Sequence, residues 1–232
     1  MIDIVIVSNS DKGILRSVTE MAIRTARQNA GTKIGKIVIV EQCRIAKPYP
    51  DTKMLYYDFE FNYNQCLNLG FSVCESQYVA FCNNDLYFEK DWAKNAIDAM
   101  QGYGYLSVCP TPKHQFRGVR EGYTVGKRGE ITGWCIIMDR EVMERIHWFD
   151  CPVKFWYSDN VYACQLQKAG IKHAMVGNSY VRHLESVSIK KLANKRKRAE
   201  MMKGQEKLFN EYKKNVDSST KIETKESKGN GG

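Results

Sequence analysis

Polar side chains that follow apolar runs are where this chain could do chemistry. Ile2 to Val7 ends in Ser8-Asn9-Ser10, Ile37 to Val40 ends in Glu41, and Tyr78 to Cys82 ends in Asn83-Asn84-Asp85. In an open α/β sheet, ligands bind in the crevice beyond the carboxyl ends of the strands, so these three ends would face one ligand. What is missing bounds the chemistry further. No Gly-x-Gly-x-x-Gly follows the first run and no Gly-Lys-Ser/Thr loop occurs, which argues against a dinucleotide enzyme or a P-loop ATPase. A nucleotidyltransferase would need a Gly-rich, Arg-containing loop there to hold a triphosphate, and Ser8 to Gly13 does not supply one. Two of these ends also have a plainer reading, Ser8 to Ser10 as a helix cap and Glu41 as a solvated charge.

The elements that must position these residues are legible as patterns. Ile2 to Val7 is an almost unbroken apolar run of the kind buried on both faces of a parallel sheet. Ile14, Leu15, Val18, Met21, Ala22 and Ala26 recur at helical spacing, with Ser10 or Asp11 able to cap the start. A second strand over Ile37 to Val40 completes a βαβ unit with a right-handed crossover. Further strands are expected at Tyr78 to Cys82, Leu106 to Cys109, Cys135 to Met138 and Ala174 to Val181, with helices at Asp91 to Met100 and Asp159 to Ala169. His114 to Glu130, rich in Gly and charge, reads as a loop. The alternation predicts an α/β fold with a mainly parallel central sheet.

Composition narrows the class. The chain has 232 residues, of which 43% are hydrophobic, enough to bury a core. No apolar run approaches the roughly 18 residues of a transmembrane helix, and Met1 to Val7 lacks a basic leader, so a cytoplasmic protein is expected. The eight cysteines include no Cys-x-x-Cys pair, which excludes a zinc ribbon and a thioredoxin-type motif and predicts free thiols. The net charge is +9, and ten Lys and Arg against three Glu between Lys190 and Lys214 hold most of that excess.

A longer string is more specific than any single strand end. Phe61-Asn62-Tyr63-Asn64-Gln65-Cys66-Leu67-Asn68-Leu69-Gly70 is followed by Tyr78 to Asp85 and then Asp91-Trp92. Downstream come Thr132-Gly133-Trp134-Cys135, Asp139-Arg140-Glu141-Val142, Trp148-Phe149-Asp150, Phe155-Trp156-Tyr157-Ser158-Asp159-Asn160 and Val181-Arg182-His183. In this order the segments resemble family 2 of the inverting glycosyltransferases with the GT-A fold, over roughly residues 1 to 188.

The resemblance implies a Rossmann-like fold and transfer of a sugar from a nucleotide-sugar donor, with uridine as the family's commonest nucleotide, to an acceptor hydroxyl. It implies that Ser8, Asn9 and Glu41 hold base and ribose and that Asn64 and Asn84 bind the donor. It implies that Asp85 carries a divalent metal with His183 completing the shell, and that Gly133 and Trp134 lie at the acceptor. A hard cation on a carboxylate neutralises the leaving diphosphate as a Lewis acid. An imidazole ligand favours Mn²⁺ over Mg²⁺. Inversion needs a carboxylate to take the acceptor proton opposite the leaving group, and Asp159 matches that base. The match departs from the family's pattern at Ser158, where many relatives have Glu. Asp159 also has a competing reading as a helix cap, and Trp134 can be a sugar platform or core.

The segment beyond residue 188 matches nothing in that family. Residues 189 to 216 read as a basic helical extension and 217 to 232 as a disordered tail. A competing function is therefore a nucleic-acid-binding protein acting through this helix. A combined one is a transferase whose acceptor is anionic, such as nucleic acid, a modified nucleobase in DNA or a phosphate-containing polymer, with binding that weakens steeply as salt rises.

Overall fold

The computed structural model describes residues 1–10, 13–112, 116–126, 128–184 and 195–229, with side chains described to residue 216 and, in the last segment, from residue 198. The elements run β1 (Ile2–Ser8), α1 (Gly13–Gln28), β2 (Ile34–Glu41), β3 (Lys53–Tyr56), α2 (Tyr63–Phe71), β4 (Tyr78–Asn83), β5 (Leu86–Phe88) and α3 (Trp92–Tyr103). They continue through β6 (Ser107–Thr111), β7 (Val119–Glu121), β8 (Cys135–Asp139), α4 (Arg140–Arg145), α5 (Ser158–Lys168), β9 (His173–His183) and α6 (Lys195–Gly229).

One sheet of nine strands runs β3-β2-β1-β4-β8-β6-β9-β5, with β7 paired to β9. From β3 to β4 every pairing is parallel, as the opening βαβ unit predicts. Beyond β4 the sheet is mixed. Strand β8 is antiparallel to both β4 and β6, while β6 and β9 run parallel.

The apolar run of β1 is divided by the pleat between two cores. Ile2, Ile4 and Ile6 pack with Ala22, Ile23 and Ala26 of α1 and with Trp92, Ala96 and Met100 of α3. Val5 and Val7 pack on the other face with Cys66, Leu67 and Phe71 of α2, Val142 of α4 and Leu166 of α5. Each fully buried Ile, Val, Leu, Phe or Met among them contributes about 1.5–3 kcal/mol. Helix α2 can lie close to β1 because of Gly70, where an added Cβ would sit 2.3 Å from Cγ1 of Val5.

Two differences from the sequence expectations stand out. The segment expected as a loop from His114 to Glu130 contains β7, an edge strand held by β9; residues 113–115 and 127 lie outside the described residues. Helix α6 runs to Gly229, past the point at residue 217 where a disordered tail is expected, because Lys and Glu favour helix even without apolar content. The expected boundary at 188–189 and Asp11 also lie outside the described residues. Tyr63 to Phe71, for which the sequence pattern assigns no element, is helical. The side chain of Asn62 caps α2 by accepting the Gln65 N–H.

Candidate active site

Strand register brings the three polar ends together. Ser8 lies opposite Glu41, and Val7 lies opposite Asn83. The antiparallel strand β8 begins opposite Cys82, so Trp134 adjoins Asn83 and its carbonyl accepts the Asn83 N–H at 2.9 Å. After Asp85 the chain enters β5, which pairs antiparallel with the end of β9 and sets His183 opposite Leu86. The imidazole Nε2 of His183 then lies 3.1 Å from Oδ1 of Asp85. The indole of Trp134 stacks on the same imidazole, 6.0 Å between centroids and 16° from parallel.

Ser8 and Glu41 are turned inward. Glu41 is fully buried, and its carboxylate accepts the Ser10 N–H at 3.1 Å, the Ser10 hydroxyl at 3.2 Å and the Cys43 N–H at 2.9 Å. Ser10 also hydrogen-bonds the Tyr49 hydroxyl, and the Ser8 hydroxyl bonds that of Ser10 at 2.7 Å. Of Ser8, Asn9 and Ser10, Asn9 alone is exposed. Glu41 is thus a buried charge satisfied by donors rather than a solvated one. The Asn84 side chain donates to Thr19 of α1 at 2.9 Å and joins this network to Asp85.

Asp159 occupies the second position of α5, behind Tyr157 in a left-handed conformation at φ 70°. A Cβ at Gly133 would sit 2.9 Å from Oδ2 of Asp159, so only glycine lets the two segments meet. Burial pushes the Asp159 carboxyl above its ordinary pKa, against hydrogen bonds from the Asn160 and Gly133 amides that pull it down. Ser158 does not replace a second acid. Its hydroxyl is spent on the Phe155 carbonyl at 2.8 Å.

Asn64 is placed apart from the crevice. Its amide donates to the Asp150 carbonyl at 2.6 Å, and Asn62 and Asn68 likewise donate to the carbonyls of Val153 and Phe149 at 2.9 Å each. The asparagine-rich string is a set of struts from α2 to residues 149–153. Tyr63, quoted in that string but given no role by sequence reasoning, is the residue it missed. Its hydroxyl donates to Oδ1 of Asn83 at 2.8 Å and reaches the Gly133 carbonyl at 3.4 Å. Burial, with Cys82, Cys135, Asp159 and Asp85 nearby, drives its pKa well above the ordinary phenol range, so it stays a neutral donor between the two aspartates.

With this geometry in place, the comparison with protein families is decisive. The model described as "Glycosyl transferase family 2" matches residues 39–163, more than half of the chain. The chain belongs to glycosyl transferase family 2. The match begins in β2 and ends in α5, so it covers Asp85, Gly133 and Asp159 but not His183 or α6.

This family 2 chain also shares the GT-A fold of S. aureus TarS. The crystal structure of TarS residues 1–349 aligns with a TM-score of 0.60 at 11% identity, covering 80% of this chain and 60% of that one. TarS structures in complex with UDP-GlcNAc and with UDP align at TM-scores of 0.58 each, with 12% and 10% identity, 78% of this chain in both, and 57% and 59% of theirs. The chain therefore spans about 60% of the length of these TarS chains. No curated protein matches its sequence.

Among the described residues no cluster of three His, Cys, Asp or Glu side chains is placed to hold a metal. Asp85 and His183 offer one carboxylate oxygen and one imidazole nitrogen at a single point. That pair suits a divalent ion shared with a substrate phosphate and unsuited to an all-protein cage. No helix among the described residues is long and apolar enough to cross a membrane.

Proposed function

We propose that this protein transfers a sugar from a nucleotide-sugar, with a UDP-sugar as first candidate, to an acceptor hydroxyl with inversion. The observation that carries it is that Asp85, which meets His183, and Asp159, which meets Gly133, both lie near the Tyr63 hydroxyl.

In this reading Asn9, exposed at the end of β1, meets the base and ribose. Ser8 and Glu41 shape the turn that presents it, and Asn84 orders the adjoining strand end through Thr19. Asp85 and His183 hold a divalent cation, Mn²⁺ before Mg²⁺ because of the imidazole, and when bound this ion supplies Lewis-acid neutralisation of the diphosphate. Trp134, partly buried against the core and stacked on His183, contacts the sugar through the part of its indole left exposed. Asp159 takes the acceptor proton. Its raised pKa suits that task, because a base near the operating pH transfers protons most efficiently. Tyr63 holds Asn83 and the Gly133 carbonyl, and thereby the distance between donor and acceptor sides.

Support comes from family membership and from TarS, a protein of the same fold whose structure was solved with UDP-GlcNAc. The test is a panel of UDP-, GDP-, dTDP- and CMP-sugars titrated with and without Mn²⁺. One donor should bind in a metal-dependent way and be turned over slowly by water. Absence of binding by every donor at millimolar concentration contradicts the proposal.

A further inference from the structure

Helix α6 begins 32 residues after the last residue matched by the family model, yet it packs directly behind the segment that carries Asp159. Gln205 is buried on a mostly exposed helix, and its side-chain oxygen accepts the Phe155 N–H at 2.7 Å. The ring of Phe209 stacks on Tyr157 at 5.5 Å and 11°. The Tyr157 hydroxyl is hydrogen-bonded to Glu206, and the Tyr212 hydroxyl donates to Oδ2 of Asp150 at 2.6 Å. On the other side the asparagine struts of α2 hold the same segment, with the Tyr63 N–H donating to the Lys154 carbonyl at 2.7 Å.

We propose that α6 is a positioning element for Asp159, with Gln205 and Phe209 as its working residues. A bulky side chain in the left-handed region persists only where surrounding structure holds it there. Tyr157 is such a residue, it immediately precedes α5, and α6 supplies a ring against its face and an acceptor for the amide two residues before it. Release of Tyr157 toward ordinary backbone angles rotates the start of α5 and moves the Asp159 carboxylate relative to Gly133. The contact leaves no spare room there. The hydrogen bonds from α2 reach only as far as Lys154, and its further contact, the Tyr63 ring set edge-on against Phe155 at 5.7 Å, stops two residues short of Tyr157.

This inference rests on the proposed transfer reaction, with Asp159 as its base. The test uses the full chain carrying Gln205→Leu and Phe209→Ala together, Gln205→Leu alone as the milder change, and Gln205→Glu with Phe209→Tyr as a variant that keeps both contacts. Amide hydrogen exchange is followed over residues 155–160, and kcat, donor KM and the pH profile of kcat are measured on the same samples. The double variant should exchange faster at these amides and lose about tenfold in kcat at unchanged donor KM, with its acid limb displaced. The contact-keeping variant should restore all three. Unchanged exchange at 155–160, or faster exchange with kcat and the acid limb both unmoved, overturns the proposal. Should the wild type bind no nucleotide-sugar, the transfer reading fails on that result, while exchange still decides whether α6 holds the segment.

Discussion

Nε2 of His183 lies 3.1 Å from Oδ1 of Asp85, across 98 residues of sequence. The antiparallel pairing of β5 with β9 creates this contact, and with it one point where a carboxylate and an imidazole face the same space. His183→Ala should weaken Mn²⁺-dependent donor binding by about 10- to 100-fold, the scale seen when groups around a metal ligand are removed. Donor binding without metal should stay as in the wild type. Calorimetric titration with and without Mn²⁺ measures both, and an equal loss in the two conditions would assign His183 to packing.

Asp159 links activity and stability with opposite signs. Its folded pKa is raised, so its contribution to stability is fully present below the ordinary carboxylate pKa and is lost as pH rises through the folded value. At neutral pH the ionised group therefore costs stability. Asp159→Asn should keep or raise the melting temperature while lowering kcat by about 10²–10⁴-fold. The wild-type kcat should fall on the acid side at a higher pH than an ordinary aspartate would give. A variant that melts well below the wild type would mark Asp159 as a helix cap.

Gly133→Ala should act through the same carboxylate. Its Cβ would sit 2.9 Å from both Cβ and Oδ2 of Asp159, so one segment must yield. A displacement of that size costs on the order of 10²-fold in rate, with donor affinity little changed. Steady-state kinetics separate the two quantities.

Acid stability should be governed by His173, away from the crevice. Fully buried, its Nδ1 is 2.8 Å from the Ser107 hydroxyl and its Nε2 donates to the Glu130 carbonyl at 3.2 Å. Burial lowers its pKa to about 4, against the Glu130 contacts that raise it. The unfolded chain binds this proton more readily, so stability is present above about pH 6.5 and is lost as pH falls from there toward 4. The loss is about 3 kcal/mol at most. Denaturant melts from pH 7 to 4 should show that slope, and His173→Gln should flatten it.

The central strands and their two-sided burial were legible because an unbroken run such as Ile2 to Val7 has few other uses. The strand ends Ser8, Glu41 and Asn83 were legible as a level in the fold, since parallel register sets Ser8 beside Glu41 and Val7 beside Asn83, with Asp85 two residues on. What each side chain does there was not. Glu41 looks like a solvated charge until Ser10 and Cys43 donate to it, with Tyr49 holding Ser10, and those contacts come from turns whose path no periodicity encodes. The resemblance implies a donor-binding role for Asn64 and says nothing of where the neighbouring asparagines point. Asn62 at the cap of α2, with Asn64 and Asn68 within it, donates to carbonyls more than 80 positions away, a pairing no local pattern encodes. The edge strand β7 hid in a charged loop because a three-residue strand carries too little pattern. The basic stretch after residue 190 drew attention by its charge, whereas its contacts to the site run through Gln205, Phe209 and Tyr212.

The most direct test separates the two aspartates. Donor binding in the presence of Mn²⁺ and single-turnover transfer to an acceptor are measured for the wild type, Asp85→Ala and Asp159→Asn. The account predicts that Asp85→Ala abolishes metal-dependent donor binding, whereas Asp159→Asn binds donor like the wild type and fails to transfer the sugar. Unimpaired metal-dependent binding by Asp85→Ala, or wild-type transfer by Asp159→Asn, would contradict it.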